Sequence, residues 1–283
     1  MLAVLCVNAL GSCYGSSGPP PDATLSPAER AERFPVVTVG DIVATQQRAL
    51  TMIGYDRFAA ILGGSLGGMQ AIRWALSFPE AVAHCVAIGA YDFFSAMGIA
   101  LNAIAREAIR NGGPRPESGI ELARKIAMLT YKSEALLAER YDRRPDRGGG
   151  DPSREPSGRF DVEGYLDHQG AVFSKRMDPA SYLVLTRAMD LFETRDVALD
   201  ARHAAVAYTF AGISSDWLFL PRYVREAATR FALAGADSVY VELVSTHGHD
   251  AFLAEPDLLG ALVRPRLAAL SAALGAPVAP AER

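Results

Sequence analysis

The apolar positions of this chain fall into two rhythms. Up to about residue 92, and again from about residue 198, short apolar runs alternate with stretches of helical spacing. The runs at 2–7, 58–62 and 84–88 have strand length and read as buried strands. Between them, apolar residues at i, i+3 and i+4 predict a helix over 42–53, which Asp41 can cap, and one over 67–78, which Pro79 stops. A Pro/Ser/Gly-rich loop over 16–27 follows the first strand. In the last third, strands are predicted over 204–209 and 239–244, with helices over 223–233 and 256–274. This alternation predicts an α/β fold: a mostly parallel sheet with helices on both faces.

Residues 93–197 break the pattern. Their apolar spacing is helical throughout, with helices predicted over 95–110, 120–131, 162–175 and 179–192. An all-helical stretch inside an α/β fold reads as a cap inserted into the core. The expected organisation is therefore a core of 1–92 and 198–283 with a helical cap, or lid, over 93–197. Within the cap, residues 139–159 alternate in charge and are rich in Gly and Pro, as in a solvated loop.

Composition narrows the field. The chain has 283 residues, 50% of them hydrophobic. That suffices for a large core without disulfides or metal. The net charge of −4 comes with no Lys/Arg block, so neither nucleic acid nor an anionic membrane is an expected partner. No apolar stretch reaches the roughly 18–20 residues of a membrane span. Residues 1–10 are apolar, yet no Lys or Arg precedes them, which argues against an export signal. Cys6, Cys13 and Cys85 have no metal-ligand spacing, and Cys6 and Cys85 lie in apolar runs as small buried hydrophobes. A reduced, cytoplasmic setting is expected, with no metal and no resident cofactor.

The chemistry concentrates at Gly63-Gly64-Ser65-Leu66-Gly67-Gly68, directly after a predicted strand and before a predicted helix. A serine on such a sharp turn is exposed to a substrate, and small neighbours let the turn close. The helix behind it presents free N–H groups, so the amide of Leu66 is a candidate oxyanion donor. A serine nucleophile needs a base and an acid that orients it. In a parallel sheet of this kind the acid follows a late strand and the histidine comes near the end. Asp216 follows the strand at 204–209, and His249 follows the strand at 239–244, both at the C-terminal sheet edge. Spacing alone leaves His247 open beside His249. His84, at a strand start, and His168, in the cap, read as structural.

These residues resemble a known family, the homoserine O-acetyltransferases of methionine biosynthesis. The resemblance runs through Asn8-Ala9-Leu10-Gly11-Ser12-Cys13, the elbow with Met69-Gln70, Thr130-Tyr131-Lys132-Ser133-Glu134 and Tyr165-Leu166-Asp167-His168-Gln169-Gly170. It continues through Arg176-Met177-Asp178-Pro179-Ala180-Ser181-Tyr182, Ser215-Asp216-Trp217-Leu218-Phe219 and Gly248-His249-Asp250-Ala251-Phe252. It implies the α/β-hydrolase fold, and it selects His249 over His247 as the base. It implies that Asp250 binds the amino group of the acceptor. It also implies that Arg176, with Lys175 as second candidate, holds the acceptor carboxylate beside Tyr182. Opposite charges at the two ends of a zwitterion agree with that division.

The resemblance further implies a homodimer and a ping-pong reaction. Ser65 takes the acetyl group from acetyl-CoA, used as a co-substrate, and passes it to the hydroxyl of L-homoserine. Three alternatives use the same residues: a serine hydrolase, a transferase using serine or succinyl-CoA, and a non-catalytic remnant. The chain departs from the family at Met177, Pro179-Ala180 and His168. The family also carries an oxyanion loop before the Asn-x-Leu-Gly segment, whereas Met1 lies seven residues before Asn8. A second oxyanion donor is therefore expected to be missing, and the chain as written to be a weak acyltransferase of marginal solubility, with a longer form active.

Overall fold

The computed structural model describes residues 3–273 except 116, 147 and 149; the side chains of 269–273 also fall outside the description. Two helices come first, α1 (Pro27–Glu32) and α2 (Val39–Met52). The sheet begins with β1 (Ile61–Gly64), then α3 (Leu66–Ser77) and β2 (His84–Ile88). Five helices follow: α4 (Ala96–Asn111), α5 (Ser118–Tyr131), α6 (Glu134–Arg140), α7 (Asp161–Ser174) and α8 (Pro179–Asp190). The chain then returns to the sheet with α9 (Ala201–Ala204), β3 (Ala207–Ile213), α10 (Pro221–Leu233) and β4 (Ser238–Leu243). Helices α11 (Ala251–Ala254) and α12 (Pro256–Ala273) close the described chain.

The four strands lie in the order β1-β2-β3-β4, and every neighbouring pair is parallel. Alternation along each strand divides the core between two faces. Cys85, Ala87, Tyr208, Phe210 and Tyr240 pack on one face with Trp74 of α3, Val43 of α2 and Phe231 of α10. Val86, Ile88, Ala211 and Val241 pack on the other against Val263 of α12. Helices thus cover both faces, as the rhythm of the sequence predicts.

The differences from the sequence reading have physical causes. No regular structure forms over residues 3–9, and Val4 is 91% exposed, so the strand expected at 2–7 is not part of the sheet; its first residue lies outside the described residues. An apolar run becomes a strand only where a ladder partner takes its N–H and C=O groups. Cys6 is exposed for the same reason; only Cys85 is buried, and burial pushes its thiol far up. Helix α2 starts earlier than expected. Thr38 is its cap, and Asp41 occupies the third helical position, returning a 2.8 Å bond to the Thr38 amide. β3 runs from Ala207 to Ile213 rather than over 204–209: Ala204 ends α9, and the ladder with β4 continues through Gly212, whose missing side chain makes room for Tyr240, 2.5 Å from where a Cβ would lie. The expected helix end at 274 lies outside the described residues. Among these residues no helix is long and apolar enough to cross a membrane.

Candidate active site

The turn between β1 and α3 holds Ser65 at φ 57° and ψ −122°, a left-handed conformation that side-chain-bearing residues rarely adopt. Such strain costs roughly 1–3 kcal/mol and persists only where its surroundings fix it. Here the Ser65 amide donates to the Ile88 carbonyl at 2.9 Å, tying the turn to the end of β2. A Cβ at Gly63 would lie 2.1 Å from the Gly67 carbonyl oxygen, and one at Gly64 would meet the Phe252 ring at 2.6 Å. Those two glycines are steric necessities, whereas a Cβ at Gly67 meets nothing within 4 Å. Leu66 is the first residue of α3, where helix geometry leaves the amide without an intrahelical acceptor.

Asp216 and His249 meet beside this turn. Asp216 Oδ2 and His249 Nδ1 are 2.6 Å apart, and both residues are 2% exposed. The other oxygen of Asp216 accepts from the amides of Leu218 at 2.9 Å and Phe219 at 2.8 Å. These bonds fix the carboxylate, which in turn makes Nδ1 the ring nitrogen that carries a hydrogen and turns Nε2 away from the acid. The ring of His249 packs on Gly89, directly after β2; a Cβ there would lie 3.1 Å from His249 Cε1. Phe219 stacks on it at 4.9 Å, and Phe252 and Tyr131 flank it at 5.6 and 5.7 Å. Its Nε2 is buried with no hydrogen-bond partner among the described residues. His247, half-buried, has no such acid partner among them, and the structure thus separates two histidines that spacing did not. His84 bonds Thr209 Oγ1 at 2.8 Å inside the sheet, and His168 is exposed on α7.

The helices between β2 and β3 add a second group of side chains. Arg124 and Tyr131 are two helical turns apart on α5, and so share a face. The Arg124 guanidinium stands 5.3 Å from the Tyr131 ring centre and 4.7 Å from that of Phe173 on α7. Its Nε is buried without a partner among the described residues. Leaving such a donor unsatisfied costs about 1–3 kcal/mol, a cost that a bound anion removes. Asp250, next to the base, pairs with Lys132 at 2.8 Å. Burial, reinforced by neighbouring Tyr141 and Asp250, pushes the Tyr165 hydroxyl up to about 12. Burial likewise raises Tyr131 and Tyr182, so all three remain phenols at neutral pH.

Arg176 lies apart from this group. It is exposed just beyond α7, 5.5 Å from the Phe173 ring centre, and its carbonyl accepts from the Tyr14 hydroxyl. Lys175 beside it is exposed as well. Tyr182 is buried on α8 at 6.1 Å from Phe173, a layer behind Arg124. Sequence reasoning missed Arg124. The signal was its two-turn spacing from Tyr131, itself one of the residues that carry the family resemblance. Among the described residues no group of three or more His, Cys, Asp or Glu is placed to hold a metal.

A serine elbow at the end of a parallel strand, with an acid and a histidine on the loops after later strands, defines a protein of the α/β-hydrolase fold. The family model of that fold matches residues 2–256. At finer resolution, the chain is 38% identical over 280 residues to a homoserine O-succinyltransferase of Burkholderia vietnamiensis, covering 92% of this chain and 74% of that one. The homoserine O-acetyltransferase structure from Staphylococcus aureus aligns with a TM-score of 0.65 at 26% identity, over 98% of this chain and 73% of that one. The corresponding enzyme structure from Bacillus anthracis aligns at 0.74 and 20% identity, over 88% and 68%, a likeness of fold. The chain belongs to the homoserine O-acyltransferase family.

Proposed function

We propose that this protein transfers an acyl group from an acyl-CoA to the hydroxyl of L-homoserine through an acyl-Ser65 intermediate. The observation that carries the reading is the company His249 keeps. Its Nδ1 is fixed by Asp216, its Nε2 has no partner among the described residues, and a guanidinium with a buried unpartnered Nε and a carboxylate lie within one residue layer of it. In the first half-reaction Nε2 takes the Ser65 proton, Oγ attacks the thioester carbonyl, and the Leu66 amide donates to the resulting oxyanion. As the C–S bond breaks, His249 Nε2 passes that proton to the departing sulfur, so CoA leaves as its free thiol and Nε2 can accept again. In the second, Nε2 takes the proton of the homoserine hydroxyl as that oxygen attacks the acyl-enzyme; the acyl–Oγ bond then breaks and Nε2 returns the proton to Ser65 Oγ.

For the acceptor carboxylate we assign Arg124 in place of Arg176. Arg124 is close to the base through Tyr131 and has a buried donor to offer, whereas Arg176 faces solvent. Asp250 takes the ammonium. The cap helices exclude water, which otherwise turns transfer into hydrolysis.

The donor reading we favour is acetyl. A succinyl group brings a second carboxylate, and of the two cations described around the site Arg124 serves the acceptor while Lys132 is already paired. Succinyl transfer stands as the second reading, because the Burkholderia relative carries that name. Pairing of two copies through exposed cap residues such as Met97, Ile104 and Leu122 belongs to the same proposal. The test is intact mass measurement after mixing with acetyl-CoA or succinyl-CoA, followed by homoserine, serine or water. An acetyl adduct on Ser65 removed fastest by homoserine is the expected result. An adduct from succinyl-CoA alone selects the second reading, and removal at equal rate by water makes the protein a hydrolase.

A further inference from the structure

The segment joining α5 to α6 grips both loops that carry the acid and the base. The Lys132 carbonyl accepts from the Trp217 indole N–H at 2.9 Å, one residue after Asp216. Ser133 Oγ donates to the Thr246 carbonyl on the base loop. Gly248, one residue before the base, sits at φ 70° with its backbone pressed onto this segment. A Cβ there would lie 2.7 Å from the Lys132 carbonyl carbon and the Ser133 nitrogen. Backbone contacts therefore already hold the base loop against the cap, without any help from the Lys132 side chain.

The side chain does something separate. Lys132 Nζ is 2.8 Å from Asp250 Oδ2, and the two side chains are 13% and 21% exposed. Only one carboxylate oxygen is engaged; Oδ1 accepts no hydrogen bond among the described residues. Lys132 is the one hydrogen-bond partner of the Asp250 carboxylate among the described residues. With it, the carboxylate plane is pinned and Oδ1 is left for one incoming donor.

We propose that Lys132 is the positioning residue of the acceptor site. It holds Asp250 by Oδ2 so that Oδ1 meets the ammonium of the acceptor, and it governs the second half-reaction rather than the first. This rests on the reading of Asp250 as the ammonium partner. The chemistry it fits is a primary ammonium on the acceptor, presented one carboxylate away from the base. It takes no part in forming or breaking the acyl bond. Its loss is therefore felt only by acceptors that bring an ammonium.

The experiment follows three steps on the purified protein: formation of the acyl-enzyme from acetyl-CoA, its breakdown by homoserine, and its slow breakdown by water. A hydrogen bond to a charged group is worth about 1.5–3 kcal/mol, or roughly 10–100-fold in an equilibrium. In Lys132→Met the half-saturating homoserine concentration should rise by about that factor, with acylation and hydrolysis within about threefold of wild type. Lys132→Arg should restore homoserine use to within about threefold. Lys132→Met combined with Asp250→Asn should cost little beyond Asp250→Asn alone, since both act on one contact. Equal losses in all three steps would show Lys132 to be a brace for the base loop and overturn the proposal. So would unchanged homoserine dependence, or fully additive losses in the double variant. Failure of the wild type to form any acyl-enzyme is a different result: it removes the functional reading itself, and this inference with it.

Discussion

Ser65, Asp216 and His249 are held by the sheet and its loops, whereas Arg124, Tyr131 and Lys132 reach the same place from the helices between β2 and β3. The first group is fixed by backbone. A strained turn, two glycines that admit no side chain and three amide donors set its geometry. The second group is fixed by side chains stacking and pairing across helices. Backbone geometry serves reactions that need a nucleophile placed to a fraction of an ångström. Side-chain geometry serves recognition, where a different acceptor calls only for different residues on the same scaffold. The two groups therefore predict different failures.

The largest expected effect is in the first group. Ser65→Ala should eliminate the acyl adduct in intact mass spectra while leaving the thermal unfolding midpoint close to wild type or higher, since removing the hydroxyl removes no buried contact. An adduct that survives, or one that maps to exposed Cys13, would break the division at its root. Asp216→Asn should keep the fold and lower acylation by on the order of 10⁴, because the amide favours the wrong imidazole tautomer.

In the second group losses should be smaller and confined to the acceptor. Arg124→Ala should raise the homoserine concentration needed for half-maximal turnover by roughly 10–100-fold, the worth of a charge-assisted pair. Arg176→Ala, at an exposed position, should change it by less than about threefold. The reverse ranking, in steady-state kinetics against homoserine, would return the carboxylate to Arg176 and place the acceptor at the far end of α7.

The same contrast explains what the sequence made legible. The elbow could be read because its chemistry is local: a strand, a serine among glycines and a helix are consecutive in the chain. Asp216 and His249 could be read because parallel strands deliver their following loops to one edge. Arg124 could not be read this way. Helical spacing puts it on one face of α5 with Tyr131, but the Phe173 ring that completes its surroundings comes from α7, a contact between helices that no periodicity encodes. Arg176 was attractive because its sequence neighbourhood matched the family, and adjacency in sequence said nothing of exposure. The first apolar run failed for a related reason. Its residues have the composition of a strand, but ladder pairing is a property of neighbours in space.

The seam between the two groups can be tested at Gly248. Its positive φ and its contact with the 131–133 backbone leave no room for a methyl group. Gly248→Ala should cost about 2–4 kcal/mol in urea unfolding, combining a left-handed penalty of about 1 kcal/mol with overpacking of about 1–3 kcal/mol. Gly67→Ala, where a Cβ meets nothing, should cost less than about 1 kcal/mol. Equal costs at the two positions would mean that residues 131–133 and the base loop are less tightly joined than their contacts indicate.

The smallest effect concerns the core alone, at the far end of β2 from the site. His84 is fully buried, bonded through Nε2 to Thr209 Oγ1, and its Nδ1 has no partner among the described residues. Burial, helped by the nearby Arg266 guanidinium, pushes its pKa from 6.5 down to about 4. A histidine depressed in the folded state stays neutral there while the unfolded chain protonates. Its contribution to stability is therefore complete above about pH 6.5 and is lost as the pH falls toward 4. The carboxylates of the protein also titrate toward the lower end of that window, so the wild type alone does not isolate the effect. The difference between wild type and His84→Asn does. Asparagine keeps a donor for Thr209 and cannot take up a proton. Urea unfolding at pH 7.5, 6.0 and 5.0 should show the wild type losing stability faster than the variant between the first two points, where carboxylates change little. Parallel slopes would show that His84 stays unprotonated in the unfolded chain as well, or that it gains its proton inside the sheet at no cost. Either result would remove this histidine from the account of the core.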